Sequence, residues 1–415
     1  MSLERSLQLY KGLVEISALL VAITDFEQLL SEILEVARRV MDAEASSLFI
    51  TDPQGNLRLT IARSKEDAPV PPVIVPRGQG IAGWALQHRK SVLVEDAYAD
   101  PRFYREADQK TGFSTRSLLC VPLFHGEIEI GVLEVLNPRG KTSFDHLELE
   151  AFEAFANLAA TAIDKARAIE RQREQERVQR ELALAHDIQT GFLPQSLPMR
   201  ERLAFGAHYR PARNIGGDFY DVIEMGPDEL YFVIGDVSGK GIPAALLMAQ
   251  ALSLLRLILQ PGIAPADALT RWNAQLCGHT IQGMFVTAAV GRITFSSRNV
   301  EIATAGHCYP LLITGGNPRE LVLEGSPPLG ILPEAKPATR CITMQAHEWM
   351  LLYTDGLTES MNPDGDLLGD SAYDPLSQNF TSASEIIFAL LRREEEHRQN
   401  AEPHDDLTLL LFGFR

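Results

Sequence analysis

Four places in the C-terminal half of this chain set an aspartate at the edge of an apolar strand or inside a glycine-rich turn. They are Gly216-Gly217-Asp218-Phe219-Tyr220-Asp221, Gly235-Asp236-Val237-Ser238-Gly239-Lys240-Gly241, Thr354-Asp355-Gly356 and His404-Asp405-Asp406-Leu407-Thr408. The adjoining runs YFVIG, MLLYT and LTLLLF are too apolar to lie anywhere but in a core. A carboxylate fixed at the end of such a strand is desolvated, and it is unstable unless paired or metal-bound. Several converging carboxylates repel one another, so a hard divalent cation is their natural neutraliser. An all-oxygen donor set suits magnesium or manganese. The nearby glycines permit tight turns and close backbone approach, which lets the Val237 carbonyl join the donors. Two such ions would activate a water and hold phosphoryl oxygens for in-line attack, leaving the protein mainly the task of positioning. Singly, GGD or DG is ordinarily just a turn. Their joint occurrence, in order and each beside a hydrophobic strand, is far more specific.

The chain's charge fits that reading. A net charge of −17 argues against a partner whose affinity comes from phosphate-backbone contacts, so no nucleic acid is expected. It also argues against attachment to an anionic membrane by charge alone. An acidic protein acting on a phosphate ester needs local positive charge, and metal ions can supply it. The four cysteines, Cys120, Cys277, Cys308 and Cys341, form no CxxC pair and read as reduced, mostly buried thiols of a cytoplasmic protein. The opening MSLERSLQLYKG lacks a continuous apolar region, so no signal peptide is expected. The most apolar stretch, AALLMAQALSLLRLILQ at 244–260, is interrupted by Gln250, Ser253 and Arg256. It falls short of the ~20 residues that span a bilayer and reads as a core helix.

The 415 residues allow two or three domains. Residues 1–22 carry a helical stripe, and Thr24 with Glu27 reads as a capping box opening a helix over 25–41. Strand-like runs follow at 46–51, 56–62, 91–96, 117–124 and 129–137, and a helical pattern resumes from Phe144. Between Asp164 and Glu181 mixed charge without glycine or proline predicts a stiff, solvated helix. Val178, Leu182, Ala185, Ile188 and Phe192 then repeat near coiled-coil spacing, until Pro194 and Pro198 end the helix. This segment is either an exposed spacer or a signalling helix that dimerises, and its seam leading into the catalytic half favours the second.

The ordered set GGDFYDV, GDVSGKGIPAAL, MFVTAAVGRI, ATAGHCYP, PPLGI, YTDGLTES and DDLTLL resembles the SpoIIE/RsbU branch of the PPM metal-dependent protein phosphatases. The preceding segment, from Arg180-Glu181-Leu182-Ala183 through Ile188-Gln189 to Phe192-Leu193-Pro194, is similar to the linker found ahead of that domain. The resemblance covers roughly 180–415. It implies an α+β fold, an antiparallel β-sandwich flanked by helices in α/β/β/α order, with Mn²⁺ or Mg²⁺, two ions, at one edge. It implies Asp218 as a terminal ligand, Asp236 as the bridging aspartate followed by the Val237 carbonyl, and Asp355 as ligand to the second metal. Asp405 matches the last ligand, with Asp406 as the alternative, and Asp221 is expected to be structural. Where eukaryotic-type members often carry a histidine proposed as general acid, this chain has Ser238, so no general acid is assigned. His307 is expected to be a hydrogen-bonded structural residue rather than a catalytic one.

Residues 24–166 resemble a GAF domain, through Gly78-Gln79-Gly80-Ile81-Ala82-Gly83-Trp84, Asp100-Pro101-Arg102-Phe103 and the run from Thr111 to Leu123. That resemblance implies an antiparallel sheet against helices and a pocket for a small ligand of unknown identity. Only half of the cyclic-nucleotide signature is present: Asn137 is followed by Pro138, and Phe144 and Glu148 by Leu149. The expected organisation is a GAF sensor over 1–166, a helical coiled-coil-like linker over 167–194 and a phosphatase domain over 195–415. The resemblance implies hydrolysis of phosphoserine or phosphothreonine on a STAS-type anti-sigma antagonist in partner-switching signalling, by a homodimer joined through the GAF domain and linker helix. GAF ligation is expected to change packing at 178–192 and to shift the helix after Gly241. The rival readings are a pseudo-phosphatase and a GAF-ligand-controlled scaffold without turnover.

Overall fold

The computed structural model describes residues 25–63, 73–198, 203–278 and 283–414, in two compact units that divide between Arg177 and Val178. The stripe over 1–22 lies outside the described residues, as does Thr24.

In the first unit, α1 (Phe26–Val40) is capped by Asp25, whose carboxylate accepts the Gln28 N–H at 2.8 Å. The strands are β1 (Ala43–Thr51), β2 (Leu57–Arg63), β3 (Ile74–Val75), β4 (Val92–Val94), β5 (Leu118–His125) and β6 (Ile128–Pro138). Helices α2 (Gly80–His88) and α3 (Arg105–Thr111) interrupt the series. The strands form one antiparallel sheet in the order β3-β2-β1-β6-β5-β4. One buried cluster joins Leu29, Ile33 and Leu34 of α1 to Leu48, Leu119 and Leu133 of the sheet. A second joins Ile81, Ala85 and Leu86 of α2 to Phe49, Leu118 and Val132. Helix α4 runs unbroken from His146 to Thr190, 45 residues, as a stretch without glycine or proline allows. Phe152, Phe155, Ala159 and Ile163 bury its first turns in the α1 cluster. Along the expected seam, Val178 and Ile188 are exposed and Leu182 and Ala185 half-buried.

The second unit is a sandwich of two five-stranded sheets. Its strands are β7 (Leu203–Arg210), β8 (Phe219–Glu224), β9 (Glu229–Val237), β10 (Val286–Thr294), β11 (Asn299–Ala305), β12 (Leu311–Thr314), β13 (Asn317–Glu320), β14 (Arg340–Thr343), β15 (Trp349–Tyr353) and β16 (Leu407–Phe414). They run in the orders β14-β11-β10-β9-β8 and β13-β12-β15-β16-β7. Phe232, Ile234, Val300 and Ile302 of one sheet meet Met350, Leu352, Leu410 and Phe412 of the other. The Phe232 and Phe412 ring centroids stand 4.9 Å apart. Helices α5 (Ile242–Ile258) and α6 (Pro265–Leu276) cover the outer face of the first sheet through Met248, Leu252 and Trp272. Helix α7 (Ala383–Arg398) covers the second through Ile386 and Leu390. With both faces covered, β9 and β16 are buried almost throughout, which is why their sequences show no polar alternation. The apolar stretch expected to be a core helix is α5. Among the described residues no helix is long and apolar enough to cross a membrane.

Candidate metal centre

The strand order brings the four aspartate-bearing turns to one edge of the sandwich. Asp236 lies near the end of β9, Asp218 immediately before β8, Asp355 just after β15 and Asp405 shortly before β16. Asp218 is buried, and its Oδ2 accepts hydrogen bonds from the Thr354 hydroxyl at 2.7 Å and the Thr408 hydroxyl at 2.6 Å. These threonines also bridge the two strand ends: the Thr408 N–H donates to Thr354 Oγ1 at 2.9 Å. Asp405 lies 3.1 Å from the Lys240 ammonium, which also donates to the His404 carbonyl.

Asp406 has a different environment. Its Oδ1 accepts the Ala212 N–H at 2.7 Å, and its Oδ2 accepts the N–H groups of Gly217 at 2.6 Å and Asp218 at 3.4 Å. Both oxygens are therefore engaged by the loop that carries Asp218. Glycine is required where these turns press together. A Cβ on Gly216 would lie 2.2 Å from Asp406 Oδ2, and one on Gly356 1.9 Å from the Asp406 carbonyl oxygen.

The electrostatics follow from carboxylates converging, with the Lys240 ammonium paired to Asp405 at the rim. Burial first, then the fields of Asp236 and Asp406, push the Asp218 carboxyl well above the carboxylate range. Burial and then Asp355, Asp405 and Asp406 push Asp236 up to about 7. Burial and then Glu359 and Asp405 raise Asp355, while three backbone N–H groups partly offset burial at Asp406. Among the described residues no three acidic, histidine or cysteine side chains close to metal-ligand spacing. The hydroxyls on Asp218 and the ammonium on Asp405 occupy oxygens that a cation would take.

The donor chemistry nevertheless fits hard divalent cations. Mutually repelling carboxylates share one edge, and the Val237 backbone carbonyl lies beside them. A Cβ on Gly217 would sit 2.7 Å from the Val237 carbonyl oxygen and 3.2 Å from Asp236 Oδ1, so the missing side chain leaves room beside these two oxygens.

Several neighbours have visible structural work. The Ser238 hydroxyl accepts the Phe285 N–H at 2.8 Å. Asp221 accepts from Arg256 Nε at 2.7 Å and from the Val222 N–H at 2.8 Å. His307 is buried, shares a 3.0 Å hydrogen bond with the Thr287 hydroxyl, and is held down to about 4 by desolvation. In the first unit, Asn137 sits at φ 55° and accepts the Arg116 N–H at 2.7 Å while donating to the Ser114 carbonyl at 2.9 Å. Glu148 pairs with Lys141. Asn137 and Glu148 of the partial nucleotide signature thus have local structural partners.

A family model described as Stage II sporulation protein E (SpoIIE) matches residues 226–415, and a GAF domain model matches 25–163. The chain carries a GAF domain followed by a SpoIIE domain. Asp218 lies ahead of the matched stretch and is tied to the SpoIIE motifs by its hydrogen bonds to Thr354, Thr408 and Asp406. The chain is 27% identical over 259 residues to protein IcfG of Synechocystis sp. (strain ATCC 27184 / PCC 6803 / Kazusa), covering 55% of this chain but 41% of IcfG, under half its length. It is 24% identical over 238 residues to phosphoserine phosphatase RsbU of Bacillus subtilis (strain 168), covering 57% of this chain and 71% of RsbU. The SiaA-PP2C domain of Pseudomonas aeruginosa shares the fold of the SpoIIE unit, with TM-score 0.53 and 21% identity over 58% of this chain and 99% of that one.

Proposed function

We propose that the protein is a metal-dependent protein serine/threonine phosphatase whose SpoIIE domain hydrolyses phosphoserine or phosphothreonine. The observation that carries this reading is the convergence of Asp218, Asp236 and Asp355 in one buried field, with Asp405 at its rim. The similarity to RsbU, itself a phosphoserine phosphatase, supports it. Asp218, Asp236, Asp355, Asp405 and the Val237 carbonyl would hold Mn²⁺ or Mg²⁺. When bound, such ions supply the charge neutralisation and water activation that phosphate-ester hydrolysis needs. Asp406 positions rather than ligates, because its oxygens hold the 216–218 loop through three backbone N–H groups. Thr354 and Thr408 orient Asp218, and Lys240 keeps Asp405 paired until a cation takes its place. With Ser238 engaged by Phe285, no general acid is assigned.

The substrate in this reading is a STAS-type anti-sigma antagonist in partner-switching signalling. The protein works in the cytoplasm as a homodimer, with the GAF domain as sensor for a small ligand. Manganese-dependent hydrolysis of p-nitrophenyl phosphate, lost in Asp236→Asn, is the expected outcome, followed by phosphate release from a phosphorylated STAS protein. Turnover of p-nitrophenyl phosphate by Asp236→Asn at the parent rate would remove the basis of the proposal.

A further inference from the structure

One buried side chain at the end of α4 holds the loop that presents Asp218. Gln189 is 4% exposed, whereas Asp187 and Ile188 beside it are exposed. Its Nε2 donates to the Gly216 carbonyl at 2.5 Å, and its Oε1 accepts the Gly216 N–H at 3.1 Å. The primary amide thus pairs with both polar groups of a single backbone residue, two positions before Asp218. The same loop is held at the next two residues by Asp406, and the Asp218 carboxylate itself by Thr354 and Thr408. Of these holders, only Gln189 belongs to α4.

The end of α4 is fixed to the SpoIIE unit at two further points. His186 Nδ1 lies 2.7 Å from the Asn214 carbonyl oxygen, and Arg256 Nη2 donates to the Phe192 carbonyl at 2.6 Å. Gly216 and Gln189 are both buried, so breaking the pair strands two backbone groups and an amide away from water. An α-helix turns about 100° per residue, so a slip of one residue in the last turn of α4 carries Gln189 off Gly216 altogether.

We propose that Gln189 is the positioning residue through which the last turn of α4 sets Asp218 for cation binding. The loop then holds its ligand-ready form only while that turn is helical and docked. This rests on the reading of Asp218 as a metal ligand, and the test separates the two.

Mn²⁺ binding to the full chain is measured by calorimetry for the parent, Gln189→Met, Asp218→Asn and the surface control Gln179→Ala, an exposed position on α4. Deuterium exchange over residues 214–219 is measured in metal-free protein. Gln189→Met keeps the side chain's length and loses both hydrogen bonds. The expected result is about ten- to a hundred-fold weaker Mn²⁺ binding, the usual effect of losing an outer-shell partner. Faster exchange over 214–219 should accompany it, with Gln179→Ala matching the parent in both. Parent-like Mn²⁺ affinity in Gln189→Met, with Asp218→Asn weakened, overturns the role of Gln189 alone. Parent-like affinity in Asp218→Asn overturns the ligand reading and the proposal with it. Should Gln189→Met fail to fold, Gln189→Glu takes its place: it keeps the acceptor for the Gly216 N–H and loses the donor. Parent-like affinity there overturns the proposal equally.

Discussion

Adding one methyl group at Gly217 crowds two of the proposed metal donors at once. The backbone at Gly217 is not left-handed, so alanine meets no conformational penalty there. The new Cβ would stand 2.7 Å from the Val237 carbonyl oxygen and 3.2 Å from Asp236 Oδ1. Ordinary contact begins at about 3.4 Å, so the carbonyl has to retreat by roughly 0.7 Å, and overpacking of this kind costs about 1–3 kcal/mol. The crowded atom is a backbone oxygen of the fully buried Val237, so strain falls on the metal-free fold as well. With metal, both crowded oxygens must also point at the ion, and binding bears a further cost of this size. At a factor of ten per 1.4 kcal/mol, Gly217→Ala should bind Mn²⁺ roughly 5- to 150-fold more weakly than the parent. Its metal-free urea midpoint should fall as well, because the crowded atom is backbone. Calorimetric titration with Mn²⁺, beside urea unfolding in chelator, measures both. A folded Gly217→Ala protein with Mn²⁺ affinity within twofold of the parent would refute the assignment of Val237 and Asp236 as donors.

Other substitutions probe separate parts of the account. Asp406→Asn presents an amide donor to either the Ala212 or the Gly217 N–H, losing at least one charge-assisted hydrogen bond worth about 1.5–3 kcal/mol; urea unfolding should show that loss, and Mn²⁺ titration a weaker site. Glu134 is buried in the GAF sheet, hydrogen-bonded by Ser47 at 3.0 Å, and raised by desolvation from 4.5 to about 7. The folded state therefore keeps a proton that the unfolded chain releases, so this group's contribution is fully present below about pH 4.5 and lost as pH rises to 7, a difference of about 3 kcal/mol. Glu134→Gln should flatten that slope in urea unfolding of the GAF unit between pH 5 and 8, and an unchanged slope counts against the assignment. Phe232→Ala opens the space between the sheets and should cost about 3–5 kcal/mol in the SpoIIE unit, read as a lower thermal midpoint.

Much of this architecture was legible from periodicity. The runs at 46–51, 117–124 and 129–137 are the cores of β1, β5 and β6, and the stretch without helix breakers became the 45-residue α4. Helix starts were less legible: Thr24 with Glu27 looked like the cap of α1, but Asp25 fills that role because its carboxylate reaches the Gln28 N–H. The acidic turns showed in the sequence because each is a local signal, an aspartate beside glycine and an apolar strand. What supports them did not show. The Thr408 hydroxyl that holds Asp218 comes from 190 positions away, and the Asp406 carboxylate that shapes the Gly217 loop from 189. No local pattern encodes which strand ends meet. Asp405 and Asp406 are indistinguishable as letters in DDLT, and the three N–H groups aimed at Asp406 set their surroundings apart. Gln189 was legible only as one residue of the linker resemblance, and its burial against Gly216 is what the structure adds.

Crystals of the full chain grown with Mn²⁺, with anomalous difference density recorded at the manganese edge, test the central claim most directly. The account predicts peaks flanked by Asp218, Asp236, Asp355 and Asp405 and touching the Val237 carbonyl oxygen, with Lys240 displaced from Asp405. Density elsewhere on the molecule, or none at this edge of the sandwich under saturating metal, would contradict it.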